Sequence, residues 1–254
     1  MTFGGHLEVL RRMLFRILAV VAVLTIVIFC FKDWTFKMLM APSQWDFVTY
    51  RYIEKFLHWL GSDFTFNEYH INLIATELSS QFMTHITAAL LLGFLCASPY
   101  ILWELFRFIT PALYESERKY SVRVAVIVYI LFVVGVLMSY FILFPISFRF
   151  LGTYTVSDLV ESNITLNSYI STFTTLTLIM GLVFQLPVLA FFLGKIGAVK
   201  SDFLKKYRRH ALVIIMVVAA IITPPDLMTL VLVTIPLYLL YEVSIGVLRR
   251  MESR

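Results

Sequence analysis

The sequence has 254 residues, of which 60% are hydrophobic and only 15% are charged, and its mean hydropathy is +0.85. A soluble domain of this length keeps a charged and polar surface, so this composition excludes the soluble globular class and indicates an integral membrane protein. The formal net charge is +5. The two cysteines fall inside apolar runs and form neither a disulfide framework nor a metal-ligand spacing, so we predict no metal site.

Apolar runs divide the chain into predicted membrane spans. A helix needs about 20 apolar residues to cross the roughly 30 Å hydrocarbon core of a bilayer. We therefore predict an all-α membrane protein with six transmembrane helices in a single polytopic membrane domain, residues 1–254. The predicted spans cover residues 13–31, 79–103, 122–144, 169–193, 211–222 and 227–248. The first run follows three arginines, as in a signal peptide, but no small-x-small cleavage pattern follows it, and we keep it as a span.

The fifth run, residues 211–222, is the shortest. Its twelve residues would alone suggest a re-entrant or core helix. A Thr-Pro-Pro-Asp turn joins it directly to the sixth run. We therefore predict that the last two helices are short and form a hairpin, with the bilayer thinned locally or neighbouring helices protecting them.

Lysine and arginine are distributed unevenly among the segments that connect the spans. Sixteen of the 21 fall at the N terminus, around the second and fourth connections and at the C terminus, and the other five fall in the first and third connections. Positive charge accumulates on the cytoplasmic side of membrane proteins. The bias predicts that both termini are cytoplasmic, so the basic surplus is a topology signal and does not indicate a nucleic-acid partner.

Two of the connections that are predicted to lie outside are long. The first, from Lys32 to Leu78, contains the stretch Arg51–Leu60, whose apolar residues recur at helical spacing. This pattern predicts a short amphipathic helix on the membrane face. The other outer connection, residues 148–168, is polar.

Ionisable residues inside a membrane are costly and usually functional, and the predicted spans hold almost none. His85 lies in the second span, Gln185 in the fourth and Glu242 in the sixth. One histidine is not the relay that a proton-driven carrier needs, and we expect His85 to be hydrogen-bonded between helices. Metalloprotease, phosphate-loop and nucleophile-elbow motifs are absent from the sequence, so we predict that the protein is not an enzyme.

Three polar motifs carry a family resemblance. They are His-Leu-Glu-Val-Leu-Arg-Arg at 6–12, Trp-Glu-Leu-Phe-Arg-Phe-Ile-Thr-Pro-Ala-Leu-Tyr-Glu-Ser-Glu-Arg-Lys at 103–119, and Thr-Pro-Pro-Asp at 223–226, which Ile-Pro-Leu-Tyr-Leu-Leu-Tyr-Glu follows at 235–242. In this order across six spans they resemble the TatC family, the core subunit of the twin-arginine protein translocase. The resemblance covers essentially the whole chain, and the pairs Ala41-Pro42, Thr76-Glu77, Tyr140-Phe141 and Phe144-Pro145 also fit it.

The resemblance implies a function in protein export. A TatC-like chain would bind twin-arginine signal peptides of folded cargo at its cytoplasmic face and work with small single-span TatA/TatB-type subunits. The proton-motive force would drive transport, in the bacterial cytoplasmic (inner) membrane. The resemblance also implies self-association in a larger complex, contact with membrane lipid, and no cofactor.

Carboxylates are the expected ligands of a twin-arginine peptide, because Arg–carboxylate hydrogen bonds are charge-assisted and can be bidentate. The resemblance implies that Glu117 binds one peptide arginine, although an ion pair within the loop, with Arg118 or Lys119, is the alternative. The residues that it assigns to signal-peptide binding are Glu8, Arg11, Phe108, Glu117 and Arg118.

The N-terminal carboxylate departs from the family pattern. The family usually has Glu at position 9, where this chain has Val9 and carries Glu8 one place earlier. One residue turns a helical side chain by about 100°. Either Glu8 takes the same role, or another segment supplies the second carboxylate.

Further residues follow from the same resemblance. Contacts to the small subunits are expected at Gln185, Thr223, Asp226 and Leu230. The family often has Glu at position 185 and Gln at position 230, and Asp226 would serve equally well as the N-cap of the sixth helix. Structural roles are expected for Pro42, Glu77, Pro111, Tyr140, Pro145, Pro187, Pro224, Pro225, Pro236 and Glu242.

Two other functions stay open from the residues alone. A secondary transporter of a small solute or ion would show uptake in proteoliposomes without partners, but the nearly uncharged spans argue against it. A membrane-embedded enzyme would keep its activity through purification in detergent. Neither function explains why the polar motifs lie in the connections.

Overall fold

The computed structural model describes residues 3–61, 73–109, 121–154, 157, 163–223 and 226–252. Within these ranges the chain is almost entirely helical. Two-residue strands, β1 (Leu73–Ile74) and β2 (Ile164–Thr165), pair in parallel. The helices are α1 (Phe3–Cys30), α2 (Lys32–Met40), α3 (Val48–Trp59), α4 (Ser80–Ile109), α5 (Ser121–Met138), α6 (Phe144–Thr153), α7 (Leu166–Val183), α8 (Leu186–Lys195), α9 (Ser201–Lys206), α10 (Arg208–Ile222) and α11 (Leu227–Glu252).

Five stretches of the described chain are long and apolar enough to cross a membrane. They are Leu7–Cys30, Ser80–Leu105, Val124–Thr153, Leu166–Lys195 and Leu227–Glu252. The predicted all-α class is therefore confirmed. The fifth predicted span corresponds to α10, whose 15 residues are fewer than the other five stretches have. The prediction that the last two helices are both short is wrong for α11, which has 26 residues because its apolar run continues into the basic C-terminal segment.

Several helices extend beyond the predicted spans. Helix α1 begins at Phe3, ten residues before the predicted start, because the polar motif at 6–12 continues the helix rather than ending it. The third stretch passes from α5 through a π-helical turn, Ser139–Leu143, into α6 and ends at Thr153. The first residues of the polar connection predicted at 148–168 are therefore helical.

The first outer connection contains more helix than the sequence predicted. Helix α3 begins three residues before the predicted stretch Arg51–Leu60 and confirms a helix there. Helix α2 was not predicted, because its three charged residues interrupt the apolar pattern. A short 3-10 turn, Ala41–Ser43, containing the buried Pro42, follows α2.

The first of two compact units comprises the described residues of Met1–Leu39 and Glu77–Leu131. Its main contact joins α1 to α4. A Cβ added at Gly93 of α4 would lie 2.9 Å from Cα of Thr25, so this position needs glycine for the close approach of the two helices. His85, near the start of α4, stacks on Phe29 near the end of α1 at 4.0 Å between ring centroids.

His85 departs from its prediction. Its ring lies against Phe29 and also against Phe36 of α2, with 5.6 Å between the latter two ring centroids. Its Nε2 atom has no hydrogen-bond partner among the described residues. The contact that holds this side chain between helices is therefore aromatic stacking, since its neighbours are phenyl rings rather than polar groups.

The second unit comprises the described residues of Met40–Thr76 and Phe132–Arg254. Its core near α6 and α7 consists of four aromatic side chains, Phe144, Phe148, Tyr169 and Phe173. Tyr169 meets both Phe144 and Phe148 edge to face, and Phe173 meets Phe144 in the same way, with centroids 4.9–5.0 Å apart. Aromatic rings favour this arrangement. Phe144, Tyr169 and Phe173 are at most 2% exposed, so this cluster fixes the position of α6 against α7.

Helix α8 follows α7 after a break of two residues. Pro187 in the first turn of α8 has no N–H to donate, which interrupts the hydrogen-bond ladder at this point. Beside the break, a Cβ added at Gly135 of α5 would lie 2.6 Å from the carbonyl oxygen of Met180. The hydroxyl oxygens of Ser139 and Thr177 lie 3.3 Å apart and join the π-helical turn to α7.

Polar contacts hold the last helices together. The Ser201 N–H at the start of α9 donates to Glu252 Oε1 of α11 at 2.8 Å. The Tyr241 hydroxyl donates to the carbonyl oxygen of Leu204 at 2.7 Å. Arg208 at the start of α10 donates to Glu242 at 2.7 Å. Glu242, which the sequence places in the sixth span, is thus paired with a basic residue of the connection between the fourth and fifth spans.

Candidate functional site

A buried carboxylate lies near the end of α4. Glu104 is 5% exposed, and its Oε1 atom accepts hydrogen bonds from Arg16 of α1 and from the Tyr100 hydroxyl, both at 3.2 Å. The guanidinium of Arg107 lies 4.0 Å from the same oxygen. A buried carboxylate is tolerated only with such partners, and here two hydrogen bonds and a second nearby guanidinium compensate its charge.

The packing of α1 and α4 explains why Arg16 reaches Glu104. Phe29 contacts His85 at one end of the helix pair and Arg16 contacts Glu104 at the other. The two helices therefore run antiparallel, which brings the first turns of α1 and the last turn of α4 to the same end of the pair. We define the polar site as Arg16, Tyr100, Glu104 and Arg107.

The predicted signal-peptide residues that are described lie at this end. Glu8 pairs with Arg12 four residues along α1, and this pair is exposed, which makes it a weak one. The guanidinium of Arg11 lies 6.0 Å from the ring centroid of Phe15. Glu8 and Arg12 precede Arg16 at four-residue intervals, so Glu8 lies two turns from Arg16 on one face of α1.

Phe108 lies in the last turn of α4, and its side chain is half-buried. It follows Glu104 by four residues, which places the two on one face of α4. Pro111, Glu117 and Arg118 lie outside the described residues, so the contact predicted for Glu117 stays a prediction.

Glu104 was missed as a candidate by the sequence reasoning, although the signal was present. It interrupts the end of an apolar run, and Arg16 likewise interrupts the start of another. An ionisable residue at such a depth needs a partner of opposite charge. Arg16 in the first predicted span and Glu104 directly after the second have opposite charges, which indicates an ion pair.

The residues predicted to contact partner subunits lie on two segments. Thr223 ends α10 with its hydroxyl bonded to the carbonyl oxygen of Ala219 at 2.9 Å. Asp226 Oδ1 accepts a hydrogen bond from the Thr229 N–H at 2.7 Å, which is the geometry of an N-cap for α11. Leu230 follows in the first turn of α11, and Gln185 lies at the break between α7 and α8.

The residues predicted to have structural roles take various positions. The Tyr50 hydroxyl donates to the carbonyl oxygens of Pro145 and Pro42 at 2.8 and 3.3 Å. The Tyr140 ring lies 5.7 Å from that of Phe47. Glu77 precedes α4 with its carbonyl oxygen bonded to the Ser80 N–H at 3.1 Å, Pro236 lies buried inside α11, and Pro224 and Pro225 lie outside the described residues.

These features define a class of protein. The described chain is helical, has several helices able to cross a membrane, and carries a partly buried ion pair at the end of a packed helix pair. The described residues contain no group of three or more His, Cys, Asp or Glu side chains that could hold a metal ion. Such a chain is a multi-pass membrane protein.

Comparison with known proteins identifies the family. The family model described as Sec-independent protein translocase protein (TatC) matches residues 5–236. The chain therefore belongs to the TatC family. It is a subunit of the Sec-independent protein translocase, a transport protein rather than an enzyme, and the family works in that translocase together with other subunits.

Relatives agree over nearly the full length. The chain is 36% identical to Sec-independent protein translocase protein TatC of Blattabacterium sp. subsp. Periplaneta americana, over 96% of this chain and 94% of the relative. It is 34% identical to the protein of the same name of Carboxydothermus hydrogenoformans, over 100% and 95%. A crystal structure of the twin-arginine translocase receptor TatC superposes with a TM-score of 0.76 at 30% identity, over 98% of this chain and 100% of that one.

Proposed function

We propose that the chain is the receptor subunit of the translocase and binds the twin-arginine signal peptides of folded proteins at its cytoplasmic face. The observation that carries the proposal is the Arg16–Glu104 contact of 3.2 Å. Glu104 already accepts a guanidinium at the end of the α1–α4 pair, where the polar motifs of both helices converge. This end of the helix pair therefore already has a carboxylate that can accept hydrogen bonds from a peptide arginine.

Two carboxylates serve the two peptide arginines in this proposal. Glu117 binds one of them, and Glu104 binds the other by exchanging it for Arg16, whose side chain is 47% exposed and free to turn toward solvent. Glu104 thereby takes the role that Glu at position 9 has in the family. Glu8, which is engaged with Arg12 on the exposed side of α1, supports peptide binding less directly. Arg11, Phe108 and Arg118 complete the contact surface.

The proposed topology places this site inside. Six spans with both termini cytoplasmic follow from the distribution of basic residues, and the first unit's polar end then faces the cytoplasm. The membrane is the bacterial cytoplasmic (inner) membrane, and the proton-motive force drives transport. Small single-span TatA/TatB-type subunits contact Gln185, Thr223, Asp226 and Leu230, and several copies of the chain associate in the active complex.

The test is peptide affinity measured with matched peptides. Fluorescence anisotropy compares a twin-arginine peptide with a twin-glutamine peptide on the full chain in nanodiscs. We expect Glu117→Ala and Glu104→Gln each to weaken twin-arginine binding about tenfold, the value of one hydrogen bond to a charged group. Binding of the twin-glutamine peptide should change in neither variant, because this peptide has no guanidinium group for the carboxylates to bind.

A control variant removes the same charge elsewhere. Asp202, 92% exposed on α9, pairs only with the neighbouring Lys205 among the described residues, and Asp202→Asn should leave peptide binding unchanged. Glu8→Ala should weaken binding less than Glu104→Gln does. Unchanged twin-arginine affinity in both Glu104→Gln and Glu117→Ala would refute the assigned site.

A further inference from the structure

An apolar groove lies in the second unit between α3 and the middle of the third membrane-crossing stretch. Its volume is about 480 Å³, within the range of small-molecule sites in proteins. Its walls include Val48, Tyr52 and Phe56 on α3 and Phe141, Ile142 and Ile146 on the opposite side. Tyr52 and Phe56 are 68% and 59% exposed, so the groove is open along its length.

The walls of this groove are held by contacts behind them. The Thr49 hydroxyl donates to the carbonyl oxygen of Phe141 in the π-helical turn. The Phe47 ring stacks on Phe141, with 5.9 Å between centroids and 13° between ring planes. The buried Tyr50 bonds to Pro145 at 2.8 Å. The groove is therefore a preformed feature of the unit and does not depend on one mobile side chain.

Two basic side chains of α3 lie beside the groove, outside its apolar lining. Arg51 and Lys55 are exposed and lie one turn apart on α3, in the row of side chains next to Tyr52 and Phe56. The Lys55 ammonium group lies 5.9 Å from the ring centroid of Tyr52, which places it at the rim. Neither basic residue forms an ion pair within the described chain. An occupant with an apolar body and an anionic head would complement both features.

We propose that the groove binds one acyl chain of an anionic glycerophospholipid, with its phosphate group held by Lys55 and Arg51. The groove follows α3 from Val48 to Phe56, about 12 Å at 1.5 Å per residue. This length fits a section of acyl chain, whereas a transmembrane helix about 10 Å wide needs a longer and broader surface. Because the opposite wall belongs to a stretch able to cross a membrane, lipid reaches the groove directly.

Native mass spectrometry of the delipidated full chain in detergent tests the proposal. The probes are phosphatidylglycerol and phosphatidylcholine with identical acyl chains. We expect phosphatidylglycerol to bind about fivefold more tightly, the contribution of one basic residue near an anionic headgroup. Lys55→Gln should lower phosphatidylglycerol affinity about fivefold. It should lower phosphatidylcholine affinity less, because the choline cation of that lipid offsets the charge of its phosphate group. Ile142→Trp, which fills the groove, should lower the affinity for both lipids about tenfold or more.

Matched controls separate the groove from general lipid adhesion. Lys200→Gln removes an exposed lysine from another connection and should change neither affinity. Leu189→Trp adds an indole to an exposed apolar position of α8 and should also change neither. Val48→Trp fills the groove from the opposite wall. If Ile142→Trp fails to fold, the lipid affinities of Val48→Trp test the groove instead.

Several results would overturn the proposal. Full phosphatidylglycerol affinity in a folded groove-filling variant would exclude the groove, and equal effects of Lys55→Gln and Lys200→Gln would exclude the headgroup contact. A photoreactive side chain at position 56 should crosslink to phospholipid in native membranes. Crosslinks to a second copy of the chain or to a small membrane subunit instead would identify a protein interface.

Discussion

At the scale of single residues, the Glu104 carboxylate determines what the end of the α1–α4 pair can bind. Moving an ionised carboxylate out of water costs several kcal/mol, and Arg16 and Tyr100 offset this cost through hydrogen bonds of 3.2 Å. The two members of the ion pair are unequally buried, since the side chain of Arg16 is 47% exposed and that of Glu104 only 6%. The carboxylate is fixed, and its guanidinium partner is replaceable.

This inequality predicts an asymmetry between two substitutions. Arg16→Gln should lower the free energy of unfolding by about 2–3 kcal/mol, because it leaves a buried carboxylate with weaker partners. Glu104→Gln should cost less than about 1 kcal/mol, since the released arginine reaches solvent or lipid headgroups. The measurement is reversible unfolding in mixed micelles with increasing dodecyl sulfate.

Two further variants check this asymmetry. The double variant Arg16→Gln with Glu104→Gln should have the same free energy of unfolding as Glu104→Gln alone, because it leaves no buried charge without a partner. Glu8→Gln, which breaks the exposed pair with Arg12, should stay within about 0.5 kcal/mol of the unchanged chain. Equal costs for the two single variants at positions 16 and 104 would show that burial does not control the pair.

Sequence reasoning pointed to the helix end where the polar site lies, but to none of its four residues. The resemblance to the family pointed to the first turns of α1 and to the segment after α4, and the structure places Glu8, Arg11 and Phe108 at one end of one helix pair. Glu104 could not be assigned from periodicity alone, because the same residue would be solvated if α4 ended one turn earlier. Its burial depends on how α1 packs along α4, and this tertiary packing cannot be read from the local sequence pattern.

At the scale of elements, glycines set how closely the helices approach. A Cβ at Gly135 would lie 2.6 Å from the carbonyl oxygen of Met180 and 2.9 Å from Cγ of Phe184. The nearer of these atoms belongs to the backbone, which cannot move aside like the end of a flexible side chain. Helix α5 and the end of α7 can hold their present separation only with glycine at this position.

The element-scale prediction compares two glycine substitutions in the second unit. Gly135→Ala should lower the free energy of unfolding by about 1–3 kcal/mol through overpacking. Gly246→Ala on α11 meets nothing within 4 Å, and should be neutral or stabilising by up to about 1 kcal/mol because alanine favours helix. Thermal unfolding of both variants in one detergent measures the difference, and a Gly135→Ala variant as stable as Gly246→Ala would contradict the close packing.

Helix positions could be predicted from the apolar runs, but their interruptions could not. Every predicted span contains a helix, because a long uncharged run has few alternatives to helix. The π-helical turn at 139–143 and the break before Leu186 each directly precede a helix with proline in its first turn, Pro145 or Pro187, which has no N–H to donate. Helix α2 contains only nine residues with mixed polarity, so no periodic signal distinguishes it from a loop.

At the scale of the whole molecule, α10 decides how many times the chain crosses the membrane. Its 15 residues span about 22 Å, short of the roughly 30 Å hydrocarbon core. The other five long stretches meet the length requirement. If α10 crosses in a locally thinned bilayer, the chain has six spans and its ends share one side. If α10 does not cross, five spans place the ends on opposite sides.

Cysteine labelling distinguishes the two topologies. Cys30 and Cys96 are both exposed, so the background variant carries Cys30→Ser and Cys96→Ser. In intact spheroplasts a membrane-impermeant maleimide should label Asp46→Cys in the first outer connection and should not label Lys200→Cys. We expect Arg249→Cys to stay unlabelled until the membrane is permeabilised, because six crossings return the C terminus to the cytoplasm, where its basic residues favour retention. Labelling of Arg249→Cys in intact spheroplasts would instead establish five crossings and leave α10 within one leaflet.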